Sequence, residues 1–139
     1  MPINNTSSKE LFQKIKKLNL PIGEYALFGS APMAVRELKE AEDIDIIASE
    51  KLWRELSQKE EWGKKLSKYG DEYFFDDKIE IYKNWRPGDW DINELIGTAE
   101  IIDGLPFVGL ENIIKWKKIY GREKDLRDIE IIENFLRNK

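Results

Sequence analysis

In "SSKELFQKIKKL" the apolar residues Leu11, Ile15 and Leu18 recur at helical intervals behind a Ser7/Glu10 pair with capping-box spacing, which predicts an opening helix that Pro21 and Gly23 end. "EYALF" is a short apolar and aromatic run stopped by Gly29, the pattern of a buried strand, and Pro32 suits the first turn of a short helix after it. "DIDIIAS" predicts a second strand, with Ser49 capping a helix through Leu52, Trp53 and Leu56. A helical or looped stretch is expected to run on to Gly70. "DEYFFDDKIEIYKNW" contains two β-rich runs around Asp76-Asp77-Lys78 and predicts a hairpin. "AEIIDGLPFVGL" reads as one more strand with a Gly-Leu-Pro break, and two helices, about residues 110–120 and 123–137, close the chain on either side of Gly121.

Strands interspersed with helices predict an α/β or α+β fold, a mixed sheet flanked by helices, and with no repeat, low-complexity tract or linker residues 1–139 read as a single domain. Composition narrows the chemistry. The chain has no cysteine and no histidine, which excludes a thiol nucleophile, an imidazole base and a zinc site of the usual kind. Carboxylates, lysines, hydroxyls and a metal held by oxygen remain. The net charge of −4 argues against a surface that is basic throughout. Its distribution is uneven: residues 71–94 carry eight acids and three bases, whereas 111–127 carry six bases and three acids. One region could hold cations and the other anions, or both could be solvated faces. No segment reaches the length of a membrane span, and the polar start "MPINNTSSKE" makes the cytoplasm the expected compartment.

The candidate chemistry lies in the carboxylates. Side chains alternate along a strand, so in "DIDII" Asp43 and Asp45 share one face and Ile44 and Ile46 the other. Two such carboxylates repel, and their face must either be wet or meet a cation. Mg²⁺ fits, because it takes hard oxygen ligands and commonly uses one or two carboxylates with substrate phosphate. Glu80 repeats the pattern between Ile79 and Ile81, and three such acids could serve two metals. Gly29 and Ser30 stand where a strand hands over to a helix, either as a plain turn or as a place where backbone N–H groups and a hydroxyl meet phosphate. In the next-to-last helix Lys117 falls in the apolar stripe of Leu110, Ile113, Ile114 and Tyr120, so it either snorkels to the rim or is aimed at an anion. Asp125 and Asp128, at the start of the last helix, read as structural partners of its N-terminus and of Arg122 or Arg127. Trp85 and Trp90, near the acidic segment, could line a cleft or a partner surface, with core packing the expected role.

Gly29-Ser30, then Asp43-Ile44-Asp45, then a third acid at Glu80, resembles the nucleotidyltransferase superfamily related to DNA polymerase beta. The terminal "LENIIKWKKIYGREKDLRDIEII" is similar to the small bacterial branch that includes abortive-infection toxins of the AbiEii type, in which a helix lysine precedes an Arg-x-Lys-Asp-x-x-Asp run; here these are Lys117, Arg122, Lys124, Asp125 and Asp128. One departure is Glu80 where that family more usually has Asp. The resemblance, over about residues 25–136, implies a nucleotidyltransferase-like core with a C-terminal helix pair. It also implies transfer of a nucleoside monophosphate from an NTP to an acceptor hydroxyl, on a small molecule, a tRNA or a protein. In it Asp43, Asp45 and Glu80 would be catalytic and would hold Mg²⁺ or Mn²⁺, and Gly29, Ser30, Lys117 and Lys124 would bind the nucleotide. The alternatives are a catalytically degenerate module that binds a nucleotide or a partner protein, as in a toxin–antitoxin-like pair, and an RNA-associated module using "KWKKIYGREK" and Lys14, Lys16 and Lys17.

Overall fold

A strand with every residue buried needs cover on both faces of its sheet, and Tyr25–Phe28 is such a strand. The computed structural model, which describes residues 3–138, places it in the interior of the sheet, beside the middle strand. The order of elements is α1 (Ile3–Lys17), β1 (Tyr25–Phe28), α2 (Ala31–Ala34), β2 (Ile44–Ala48), α3 (Glu50–Ser57), β3 (Gly63–Leu66), β4 (Glu72–Asp76), β5 (Ile79–Tyr82), α4 (Ile92–Gly97), β6 (Glu100–Ile102), β7 (Leu105–Phe107), α5 (Leu110–Tyr120) and α6 (Glu123–Arg137). The strands form one seven-stranded sheet in the order β3-β4-β5-β2-β1-β7-β6. Pairs β1/β7 and β2/β5 are parallel and the other four antiparallel, so the sheet is mixed and the class is α+β, as expected.

Alternation sorts the strand residues into two cores. Leu27, Ile44, Ile46, Ile79, Ile81, Phe74 and Phe107 face α1 and α3, where Phe12 meets Phe107 edge-on and Trp53 stacks on Phe74 at 4.0 Å. Ala26, Phe28, Ile47 and Val108 face the opposite way, toward Leu95 and Ile96 of α4, Ile113 and Trp116 of α5 and Ile132 of α6. Each buried side chain of this size contributes about 1.5–3 kcal/mol, so the two faces together hold the helices in place.

Four sequence expectations are corrected. The first helix begins at Ile3, so Ser7 lies inside it and is not its cap. The stretch before Gly70 contains β3, an edge strand held by its ladder to β4, whose residues Lys64, Lys65 and Leu66 are exposed. "AEIIDGLPFVGL" is two antiparallel strands, β6 and β7, joined at Asp103-Gly104, both with positive φ, as a two-residue hairpin turn requires. Strand β2 starts at Ile44, leaving Asp43 just outside its first residue. The β4–β5 hairpin forms where expected, with Asp77 taking a positive φ in the absence of glycine. Ser49 caps α3 through a hydrogen bond accepted from Leu52 N, and the two terminal helices match their expected bounds.

Candidate functional site

The strand register builds the site. Across the sheet, Gly63 of β3 faces Phe75, Phe75 faces Glu80, Glu80 faces Asp45, and Asp45 faces Phe28. Opposed residues on neighbouring strands project to the same side, so Glu80 and Asp45 are cross-strand neighbours on the face that carries α4 to α6. Placing two carboxylates directly opposite each other is destabilising for a plain sheet surface. Asp45 and Glu80 are only half-buried, and Asp43 is exposed at the edge of the pair. Among the described residues no lysine or arginine forms an ion pair with any of the three.

The electrostatic result is a carboxyl that holds its proton. Burial, then the charges of Glu80 and Asp43, then a hydrogen bond with Glu80, push the Asp45 carboxyl up to about 8. Asp43 is raised as well, by burial and by the charges of Glu80 and Glu42, with Lys78 opposing. Tyr82, two residues beyond Glu80 and therefore on the same face, donates its hydroxyl to Glu80 Oε1 at 2.7 Å. Burial, that hydrogen bond and the neighbouring carboxylates hold the phenol far above its ordinary range, so it stays a donor.

Gly29 closes the other side. It follows β1 with φ +64°, and a Cβ built on it would stand 2.5 Å from Asp45 Oδ2. Only glycine both adopts this left-handed backbone cheaply and leaves room for the carboxylate against the chain. Ser30 follows as N-cap of α2 with no side-chain cap hydrogen bond, so its hydroxyl is not committed to the helix. Gly29, Ser30, Asp43, Asp45 and Glu80 thus come together around the β1–α2 turn and the starts of β2 and β5.

Lys117 and Lys124 are placed differently. Lys117 is 3% exposed, and its Nζ lies 2.9 Å from Asp128 Oδ2 and 3.5 Å from Asp125 Oδ1. Lys39 adds a second ion pair to Asp128 at 2.8 Å, and Arg122 holds Asp125 through Nε at 2.7 Å. Burial pushes the Asp125 and Asp128 carboxyls up, but their hydrogen bonds and these cations more than offset it, and both end below the ordinary range. The anion facing Lys117 is therefore the start of α6, and the ion cluster ties α5 to α6. Lys124 is exposed in the first turn of α6.

Beside the acid pair lies a cleft of about 370 Å³. Its aromatic lining is Tyr69, Tyr73, Tyr82, Trp85, Trp116 and Tyr120. Tyr73 stacks on Tyr82 at 4.8 Å, and Tyr82 meets Trp85 edge-on at 5.5 Å. Trp85 stacks in turn on Phe28, the residue opposite Asp45, at 4.5 Å. Of these rings Trp85 was a candidate from the sequence, and it both lines the cleft and packs in the core.

Among the described residues no group of three or more carboxylates is close enough to form a ready-made metal cage. The oxygen pair of Asp45 and Glu80 still suits a hard cation, since Mg²⁺ needs only one or two protein carboxylates beside substrate phosphate. No helix among the described residues is long and apolar enough to cross a membrane. Compared with protein-family models, curated proteins and solved structures, the chain matches none.

Proposed function

We propose that this chain is a metal-dependent nucleotidyltransferase of the polymerase beta-like superfamily, acting in the cytoplasm on an NTP and an acceptor hydroxyl. The observation that carries the reading is the pairing of Asp45 with Glu80 across parallel strands, with the left-handed Gly29 packed on the Asp45 carboxylate. Such a pair is a poor sheet surface and a good cation site.

Asp45 and Glu80, with Asp43 beside them, would hold Mg²⁺ or Mn²⁺, which when bound neutralises triphosphate charge and polarises the phosphorus–oxygen bond that breaks. The turn at Gly29 and Ser30 offers backbone N–H groups and a hydroxyl to the phosphates. The acceptor oxygen forms its bond to the α-phosphorus as the bond to the bridging oxygen of the β-phosphate breaks, and pyrophosphate leaves. Glu80 takes the hydroxyl proton, with Tyr82 fixing its carboxylate. Lys117 supports the site indirectly by anchoring α5 to α6.

The test is a titration of intrinsic tryptophan fluorescence with each NTP, with and without Mg²⁺, on the wild type and on Asp43→Asn/Asp45→Asn, followed by pyrophosphate release with candidate acceptors. Metal-dependent binding lost in the variant is expected, and metal-dependent binding that survives it would sink the reading. A second reading, a partner-binding module of a toxin–antitoxin-like pair, draws on one observation: Ile119, Leu126, Ile131 and Leu136 of the terminal helices are exposed. Pyrophosphate release from an NTP in the presence of any acceptor would decide against the degenerate form of that reading.

A further inference from the structure

The acid pair accounts for one row of the sheet; the next row runs Lys65, Tyr73, Tyr82 and Ile47 across β3, β4, β5 and β2. Its tyrosines form the floor of the aromatic cleft. Tyr82 and Tyr120 pack in part against the second core, yet none of the tyrosine rings is enclosed. Tyr69 is 47% exposed, and Tyr73, Tyr82 and Tyr120 are half-buried, so a broad aromatic surface stays accessible beside Glu80. Two cations stand at its edge. Lys68 Nζ lies 3.1 Å from Tyr120 Oη and forms no ion pair among the described residues, while Arg86 is held by Asp71 at 3.0 Å. The Trp116 indole in the cleft wall is occupied, donating to Arg86 O, and Trp85 offers ring surface only, its Nε1 being enclosed in the core.

We propose that this cleft seats a nucleobase, and the assignment rests on the nucleotidyl-transfer reading only for where the rest of the ligand goes. Flat aromatic walls stack any base, and a nearby ammonium suits its phosphate. A space of this size falls near the lower end of small-molecule sites and suits one nucleoside. The cleft and the acid pair are joined by single side chains, Tyr82 to Glu80 and Trp85 through Phe28 to the strand position opposite Asp45. A base there can belong either to the donor NTP or to the terminal nucleotide of an acceptor.

Calorimetric titration of the full chain distinguishes these. The ligands are the four nucleosides in EDTA, each NTP with Mg²⁺, and a short oligoribonucleotide; the proteins are wild type, Tyr73→Ala, Tyr69→Ala and Asp45→Asn. At least one nucleoside is expected to bind wild type and Asp45→Asn alike without metal. Replacing Tyr73 should weaken it about tenfold, the loss of one stacking partner. Tyr69→Ala, at the exposed rim, gives the same readout without disturbing the sheet. NTP with Mg²⁺ binding more tightly than its nucleoside identifies the donor as the source, and the oligonucleotide binding more tightly without metal identifies the acceptor. A folded wild type that binds no nucleoside, or binding that neither tyrosine variant weakens, overturns the assignment even if metal-dependent NTP binding persists. Conversely, nucleoside binding with no metal-dependent NTP binding keeps the cleft assignment and removes the transferase.

Discussion

Replacing Gly29 by alanine tests the link between backbone and site. The residue has φ +64°, a conformation that costs an L-residue about 1–2 kcal/mol. The new methyl would also stand 2.5 Å from Asp45 Oδ2, where ordinary contact begins at 3.4 Å, so the carboxylate must retreat by about an ångström. Residues in direct contact couple by about 0.5–3 kcal/mol, so Gly29→Ala should cost about 2–4 kcal/mol in all. In urea, where unfolding slopes for small domains are about 1–3 kcal/mol per molar, this lowers the midpoint by about 1 M or more. The two contributions separate in a double-mutant cycle. In an Asp45→Ala background the carboxylate is gone, and Gly29→Ala should cost only the backbone part. If Gly29→Ala costs as much there as in the wild type, the carboxylate is not packed on Gly29, and the physical basis for joining the Gly-Ser turn to the acid pair fails.

The Asp45 carboxyl, at about 8 when folded against 3.8 ordinarily, keeps its proton while the unfolded chain loses it, so this group's contribution makes stability fall as pH rises between those values. Urea midpoints should therefore show Asp45→Asn gaining on the wild type from about pH 5 to about pH 8, and parallel profiles would refute the shift. Mg²⁺ competes with that proton, so it should raise the melting temperature of the wild type more at about pH 8.5 than at about pH 6, and not in Asp45→Asn; equal rises at both would show that the cation binds elsewhere. Lys117→Met leaves Asp125 and Asp128 with only Arg122 and Lys39 opposite them, and should cost near the lower end of the about 3–5 kcal/mol typical of a broken buried pair. Unchanged stability with lost NTP binding would return Lys117 to the phosphates. Tyr82→Phe removes the hydroxyl from Glu80 and should cost about 1 kcal/mol by urea unfolding, with little effect on the strand; no loss would mean that Glu80 is satisfied by water.

Legibility followed how local each cause was. Strand β1 could be read because burial on both faces demands an unbroken apolar run, β2 because Asp45 alone interrupts its apolar run, and the shared parity of Asp45 and Glu80 followed from the two-residue repeat alone. Strand β3 could not. Its residues Gly63, Lys64, Lys65 and Leu66 show no alternation because an edge strand is held by its ladder to β4 rather than by burial, and its lysines guard the open edge. The only clue to its packing is Gly63, where the absent side chain lets the Phe75 ring lie across the strand. The β6–β7 turn did carry a strong local signal in Asp103-Gly104, which outweighs the neighbouring Gly-Leu-Pro as punctuation because both turn residues must take positive φ.

Lys117 shows where such reading stops. Its place in the apolar stripe of α5 left two outcomes open, snorkelling to the rim or facing an anion, and the structure gives the second, with Lys117 3% exposed beside Asp125 and Asp128. Periodicity gives the direction in which a side chain leaves its own helix, but not which element lies there. A carboxylate at the head of α6 and a phosphate in a cleft are the same requirement from the lysine's side. The difference lies in Asp125 and Asp128, which are spaced three residues apart and so fall on one face of α6, and α6 turns back directly after Gly121 to pack along α5. The short connection brings the acids to the lysine before any ligand could. The rings that join Trp85 in the aromatic cleft were hidden for the complementary reason. They come from the β3–β4 turn, β4, the β5 end and α5, elements that no sequence interval connects, and only the register Tyr73 to Tyr82 and the stacking of Trp85 on Phe28 bring them to the side of Glu80.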